Sequence, residues 1–125
     1  MERYSARVVS SSRELTKRES LLMCDTTSAV KLDQVLQSLD DRLVIDPAGW
    51  AIIQVDNPKS KGDKQYTRYV IMDESGTTYV TGSESFWEAF TDISSFMEDD
   101  PFQIEAFKLP SKNREGQSFI TCKIV

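Results

Sequence analysis

Residues 66–98, YTRYVIMDESGTTYVTGSESFWEAFTDISSFME, set two strand-like runs and an amphipathic helix back to back, which leaves few ways to fold. Residues 66–73 alternate Tyr66, Arg68, Val70 and Met72 against Thr67, Tyr69, Ile71 and Asp73, the period-two pattern of a strand. Glu74-Ser75-Gly76 closes a hairpin, with glycine supplying the positive φ that a three-residue loop needs. The following TTYVT is rich in β-branched and aromatic residues, as strands are. Ser85 and Glu88 have the S-x-x-E spacing of a capping box, which predicts a helix start there. Phe86, Phe90, Ile93 and Met97 then make one apolar stripe, widened by Ala89 and Phe96, until Pro101 stops the helix.

What flanks this stretch fixes the expected fold. Residues 50–56, WAIIQVD, are almost continuously apolar, as in a strand buried on both faces or at a barrel seam. Residues 102–109 and 117–124 read as two more strands. The order is β-β-β-α-β-β, with one helix between the third and fourth strands. That is the element order of an OB-fold, a five-stranded Greek-key barrel that binds oligonucleotides and oligosaccharides. The apolar stripe of the helix is long enough to plug one end of such a barrel. The expected class is therefore α+β, mainly β: an OB-like barrel over 50–125, preceded by a partly helical extension over 1–49.

Within that extension, residues 6–9 alternate like an edge strand or an arm, and helix formers run from Arg13 to about Met23. Leu32, Val35, Leu36 and Leu39 fall at i, i+3, i+4 and i+7, predicting a helix over 32–40. Asp46-Pro47-Ala48-Gly49 reads as a turn. A lid, a dimer arm and an extra barrel strand are all compatible with residues 1–49.

Several chemistries are excluded or disfavoured. A chain of 125 residues is expected to form one domain. No apolar run is long enough to span a bilayer, and the first residues lack the apolar stretch of a secretory signal, so the cytoplasm is the expected location. Cys24 and Cys122 have no metal-ligand spacing and read as two small thiols, with a disulfide as the alternative. The chain has no histidine, which removes Ser-His-Asp and Cys-His nucleophiles and the usual zinc sites. There is no glycine-rich phosphate loop. Glu98-Asp99-Asp100 reads as a solvated helix end, since adjacent positions project in different directions. No catalytic residue, cofactor or metal is expected, and the chain reads as a non-enzyme.

Charge is the informative property. The net charge is −5, yet it is segregated. Residues 57–70 carry Lys59, Lys61, Lys64 and Arg68 against Asp63, and residues 108–123 carry Lys108, Lys112, Arg114 and Lys123 against Glu115. Between Arg68 and Lys108 there is no Lys or Arg but nine acidic residues. Such a split makes one basic side and one acidic side whatever the total. In the expected fold the basic segments are the loops after the first and fourth strands, which OB-folds use to grip ligand. Their cations would hold phosphates, and bases need flat side chains to stack on. Tyr66 and Phe119, next to the basic loops, are the better stacking candidates; Tyr69, Tyr79 and Phe107 are others, and packing competes for each. Trp50 reads as core, and Trp87 as packing or a partner contact.

The segments YVIMDESGTTYVTGSESFWEAF and KLPSKNREGQSFITC resemble small proteins of phages and mobile elements of Gram-positive bacteria. In element order the chain is also similar to phage-type single-stranded DNA-binding proteins. That resemblance implies a non-catalytic role in handling a replicating or transferred single strand, with a homodimer extending the site. One departure is that bacterial single-stranded DNA-binding proteins end in an acidic recruiting tail, whereas this sequence places Lys123-Ile124-Val125 at the end of its fifth strand. The competing expectation is an inhibitor of a host protein, using Glu84, Glu88, Asp92, Glu98, Asp99 and Asp100 on the helix to imitate DNA phosphates.

Overall fold

β-Branched and aromatic runs with period-two burial dominate the computed structural model, which describes residues 5–25, 27–59, 62, 64–98, 100–112 and 116–125. The elements are β1 (Ser5–Ser11), α1 (Lys17–Cys24), β2 (Val30–Lys31), α2 (Leu32–Val35), β3 (Arg42–Ile45), β4 (Pro47–Asp56), β5 (Gln65–Asp73), β6 (Thr78–Thr81), α3 (Glu84–Met97), β7 (Ile104–Pro110) and β8 (Ser118–Ile124). The protein is α+β and mainly strand. It divides into two compact units, residues 1–30 with 48–82, and residues 31–47 with 83–125. No helix among the described residues is long and apolar enough to cross a membrane.

The first unit is built on a five-stranded sheet of order β1-β4-β5-β6-β2. β1 pairs antiparallel with β4, from Ser5 opposite Asp56 to Ser11 opposite Ala51, with a bulge between Val8 and Ser10. β1 is thus an edge strand of this sheet, as the alternation over 6–9 suggests. Burial along β4 alternates, Ala51, Ile53 and Val55 being buried while Ile52 and Gln54 are half-covered. These three join Val70, Met72 and Val80 from β5 and β6, and Met23 from α1, in one core cluster. Each valine, isoleucine or methionine among them contributes about 1.5–3 kcal/mol by leaving water. α1 starts one turn later than the helix formers suggest, because Thr16 caps it: its hydroxyl accepts from Glu19 N–H at 3.1 Å, and Thr16 N–H donates to the Glu19 carboxylate at 3.0 Å. The β5–β6 hairpin turns as expected, with Gly76 at φ +92°. Asp73 pins it, accepting from the N–H groups of Ser75 and Thr77, each at 2.9 Å.

In the second unit β3, β7 and β8 form a three-stranded antiparallel sheet in that order. α3 packs along β8, with Phe86, Trp87 and Phe90 buried. Phe86 and Phe90 stack with ring centroids 6.3 Å apart, and Phe90 meets Phe102 at the same separation. The helix caps on Ser83, whose hydroxyl accepts from Phe86 N–H at 3.2 Å. Ser85, the expected cap, instead donates its hydroxyl to the Ile120 carbonyl at 2.8 Å. That bond ties the start of α3 to β8.

Three expectations are corrected. The five strands do not close a barrel: β4–β6 belong to one sheet and β7–β8 to another, and α3 packs on a strand face, plugging no barrel end. The physical reason lies in the first fifty residues. β1 and β3 occupy ladder positions beside β4 and β7 that a barrel seam would otherwise use. The Asp46–Gly49 turn is absent as such, because β4 already begins at Pro47, a position where a strand tolerates a missing N–H. The helix over 32–40 stops at Val35, since the Asp41 carboxylate takes the N–H groups of Gln37 and Ser38, each at 2.9 Å, and so ends the helical run.

Candidate nucleic-acid interface

The two basic segments fall in different units, so each is built up by itself. In the first unit the chain from β4 to β5 is closed by Asn57 N–H donating to the Lys64 carbonyl at 2.6 Å. Lys59 and Lys64 are exposed there, and Lys61 lies outside the described residues. Tyr66 and Arg68 follow on one face of β5. Tyr66 is half-buried and packs against the core cluster. The Arg68 guanidinium lies 5.1 Å from its ring centroid and donates to its hydroxyl at 3.0 Å. The ring expected to receive a base is thus packed against the core of the first unit. Tyr79 is likewise occupied, its hydroxyl donating to Asp73 at 3.2 Å. Burial pushes the Asp73 carboxyl up, but the bonds from Ser75, Thr77 and Tyr79 outweigh it and hold the group below its ordinary range.

The second unit offers a different geometry. Strand alternation sends Ile45, Ile104, Ala106, Ile120 and Cys122 to one face, where all are buried. The Cys122 thiol is pushed up to about 12 by that burial, and both cysteines are free thiols. The alternate residues form the other face. Register sets Val44, Glu105 and Lys123 in one row, Arg42, Phe107 and Thr121 in the next, and Leu109 opposite Phe119 beyond them. This face is open: Phe119 is 38% exposed, Leu109 41% and Val44 49%. Phe107 and Phe119 are diagonal cross-strand neighbours, roughly 7–8 Å apart.

Cations surround Phe107. The Arg42 guanidinium carbon lies 5.1 Å from its ring centroid and the Lys123 ammonium 5.6 Å. Both also reach one oxygen of Glu105, Arg42 Nε at 3.5 Å and Lys123 Nζ at 3.7 Å. Beside this face the chain from β7 to β8 is closed by Ser111 N–H donating to the Gln117 carbonyl at 2.8 Å. A cleft lined by Gln37, Ser38, Ser111, Gln117 and Ser118 runs along it.

Of the expected site residues here, Phe119 stands on the open face and Lys112 is exposed in the adjacent loop. Lys108 does not join them. It is half-buried and opposite Ile120, on the same side of β7 as the buried Ile104 and Ala106. Arg114 lies outside the described residues. Arg42 is the residue that sequence reasoning missed. The signal was the run Arg42-Leu43-Val44-Ile45, β-branched and bounded by aspartates, which reads as a short strand.

On α3, Glu84, Glu88 and Asp92 are exposed, as are Glu98 and Asp100 beyond it, while Asp99 lies outside the described residues. Phe96 continues the ridge of Glu84, Glu88 and Asp92 at spacings of four and is 87% exposed. Among the described residues no group of carboxylates or thiols is arranged to hold a metal ion.

No family model, no curated protein and no solved structure matches this chain. The fold and the open face define a small α+β protein with an aromatic and cationic sheet surface.

Proposed function

We propose that this protein binds single-stranded nucleic acid, without catalysis, on the open face of the β3-β7-β8 sheet. The observation that carries the reading is an exposed Phe119 and a half-buried Phe107, diagonal neighbours on one sheet face, with Arg42 and Lys123 around Phe107. Bases stack on aromatic rings and on guanidinium planes, while phosphates are held by cations, a sequence-tolerant combination. An open sheet suffices for this; no closed barrel is needed. Lys112 and Arg114 would extend the basic surface along the β7–β8 loop, and Lys59, Lys61, Lys64 and Arg68 serve as a separate phosphate contact in the first unit. Two rings seat about two bases, so a homodimer with two such faces is part of the proposal.

The test is fluorescence anisotropy with a labelled thirty-nucleotide oligo-dT, single-stranded and as a duplex with oligo-dA, at low and physiological salt. Salt-sensitive binding to the single strand is expected. Phe119→Ala should weaken it about tenfold, since one stacked base is worth about 1–3 kcal/mol by alanine substitution. Its melting curve should stay near wild type, because the ring is partly in water. Unchanged affinity in Phe119→Ala, or no binding by folded protein at low salt, overturns the reading.

A second reading has one observation of its own: Phe96, almost fully exposed, extends the acidic ridge of α3. An apolar anchor within a row of carboxylates suits a basic protein surface with a pocket, as a DNA-mimicking inhibitor of a host protein would require. Failure of the anisotropy test moves the weight to this reading.

A further inference from the structure

We infer that Glu105 is a built-in competitor for phosphate, setting the affinity and the salt sensitivity of the open sheet face. The inference rests on the nucleic-acid reading above. Glu105 stands on the same face of β7 as Phe107, two residues away, and its Oε1 draws both nearby cations toward itself. At 3.5 and 3.7 Å these ion pairs are looser than the charge-assisted hydrogen bonds of about 2.7–2.9 Å that a guanidinium or ammonium makes with phosphate. The carboxylate therefore holds Arg42 and Lys123 beside Phe107 without saturating their donors.

The placement has two consequences. In the free protein the cations are kept near the aromatic ring and one of their two charges is offset by the carboxylate, so weak anions gain less there. When a strand docks, its phosphates take the donors over from the carboxylate, and Glu105 is left as an uncompensated anion beside the backbone. Binding is thus weaker than the aromatic and basic groups alone would give, and one net cation fewer contributes to the salt dependence. The side chains of the three charged residues are 24–63% exposed, so the exchange needs no opening of the core.

The experiment compares wild type, Glu105→Gln and Glu88→Gln against the labelled oligo-dT over a salt series. Glu88 is an exposed acid on α3 outside this face, so its change removes the same charge without touching the network. Glu105→Gln should bind about three- to tenfold more tightly at low salt, in line with two released surface pairs. Its log–log salt slope should steepen by about 0.7, one further cation on a single strand. Glu88→Gln should gain clearly less and keep the wild-type slope. Equal gains in the two variants, or no gain in Glu105→Gln while wild type binds, overturn the role of Glu105 and leave the binding reading standing. Absence of binding in all three overturns both.

Discussion

At the start of α1 the Glu19 carboxylate closes a capping box with Thr16 and pairs with Arg13 at 2.6 Å. The bond from Arg13, then that from Thr16 N–H, holds its carboxyl at about 2, against an ordinary 4.5. The folded-state value lies below the unfolded one, so the stabilisation is complete above about pH 4.5 and is lost as the pH falls toward 2. Glu19→Gln should therefore melt at a lower temperature than wild type near neutral pH, and the gap should close as the pH approaches 2. A gap that stays constant with pH would show that this carboxylate adds nothing ionic to the fold. The residue scale also shows where sequence spacing misleads. Ser85 and Glu88 satisfy the capping-box pattern, yet Ser83 caps α3, because a partner distant in sequence, the Ile120 carbonyl, claims the Ser85 hydroxyl. No local pattern carries that information.

At the scale of elements, the strands with alternating or continuously apolar residues were legible: β4, β5, β6, β7 and β8 all form near their expected limits. What escaped was set by tertiary competition or by brevity. α2 is cut short by Asp41, and β3 is a four-residue strand, too brief for its pattern to stand out, paired with β7. The loss of β3 from the reading also hid Arg42, and with it the cationic side of the candidate face. The end of α3 was legible as a stop, but its geometry was not. Glu98 adopts φ 53° and ψ −117°, a conformation that suits glycine and strains a side chain. Such backbone costs about 1–3 kcal/mol, whereas glycine loses more entropy on folding. Glu98→Gly should thus stabilise the protein by about 1 kcal/mol, read as a higher urea midpoint at unchanged slope. A lower midpoint would mean that Glu98 side-chain contacts outweigh the strain.

For the whole molecule, the sequence suggested a boundary at 49/50, an extension before a barrel-like unit, whereas the contacts divide the chain differently. Each unit is assembled from two stretches, so the first fifty residues are shared out between both. They supply β1 and Met23 to the first unit, and Leu32, Leu36 and β3 with the buried Ile45 to the second. Hydrophobic periodicity could place these residues on faces but could not say which partner each face would find. The same division assigns the two basic segments to different units. A fragment of residues 50–125 would keep most of the residues of both sheets but lose β1 and β2 from one and β3 from the other, with four buried apolar side chains. Deleting even one such side chain from a core costs about 2–5 kcal/mol, against a total stability of about 5–15 kcal/mol. The fragment should therefore show no cooperative urea transition by circular dichroism, while the full chain shows one. It should also fail to bind oligo-dT, because Arg42 goes with β3. A sigmoidal transition in the fragment would mean that residues 50–125 fold alone, and that the first fifty only decorate a unit already complete.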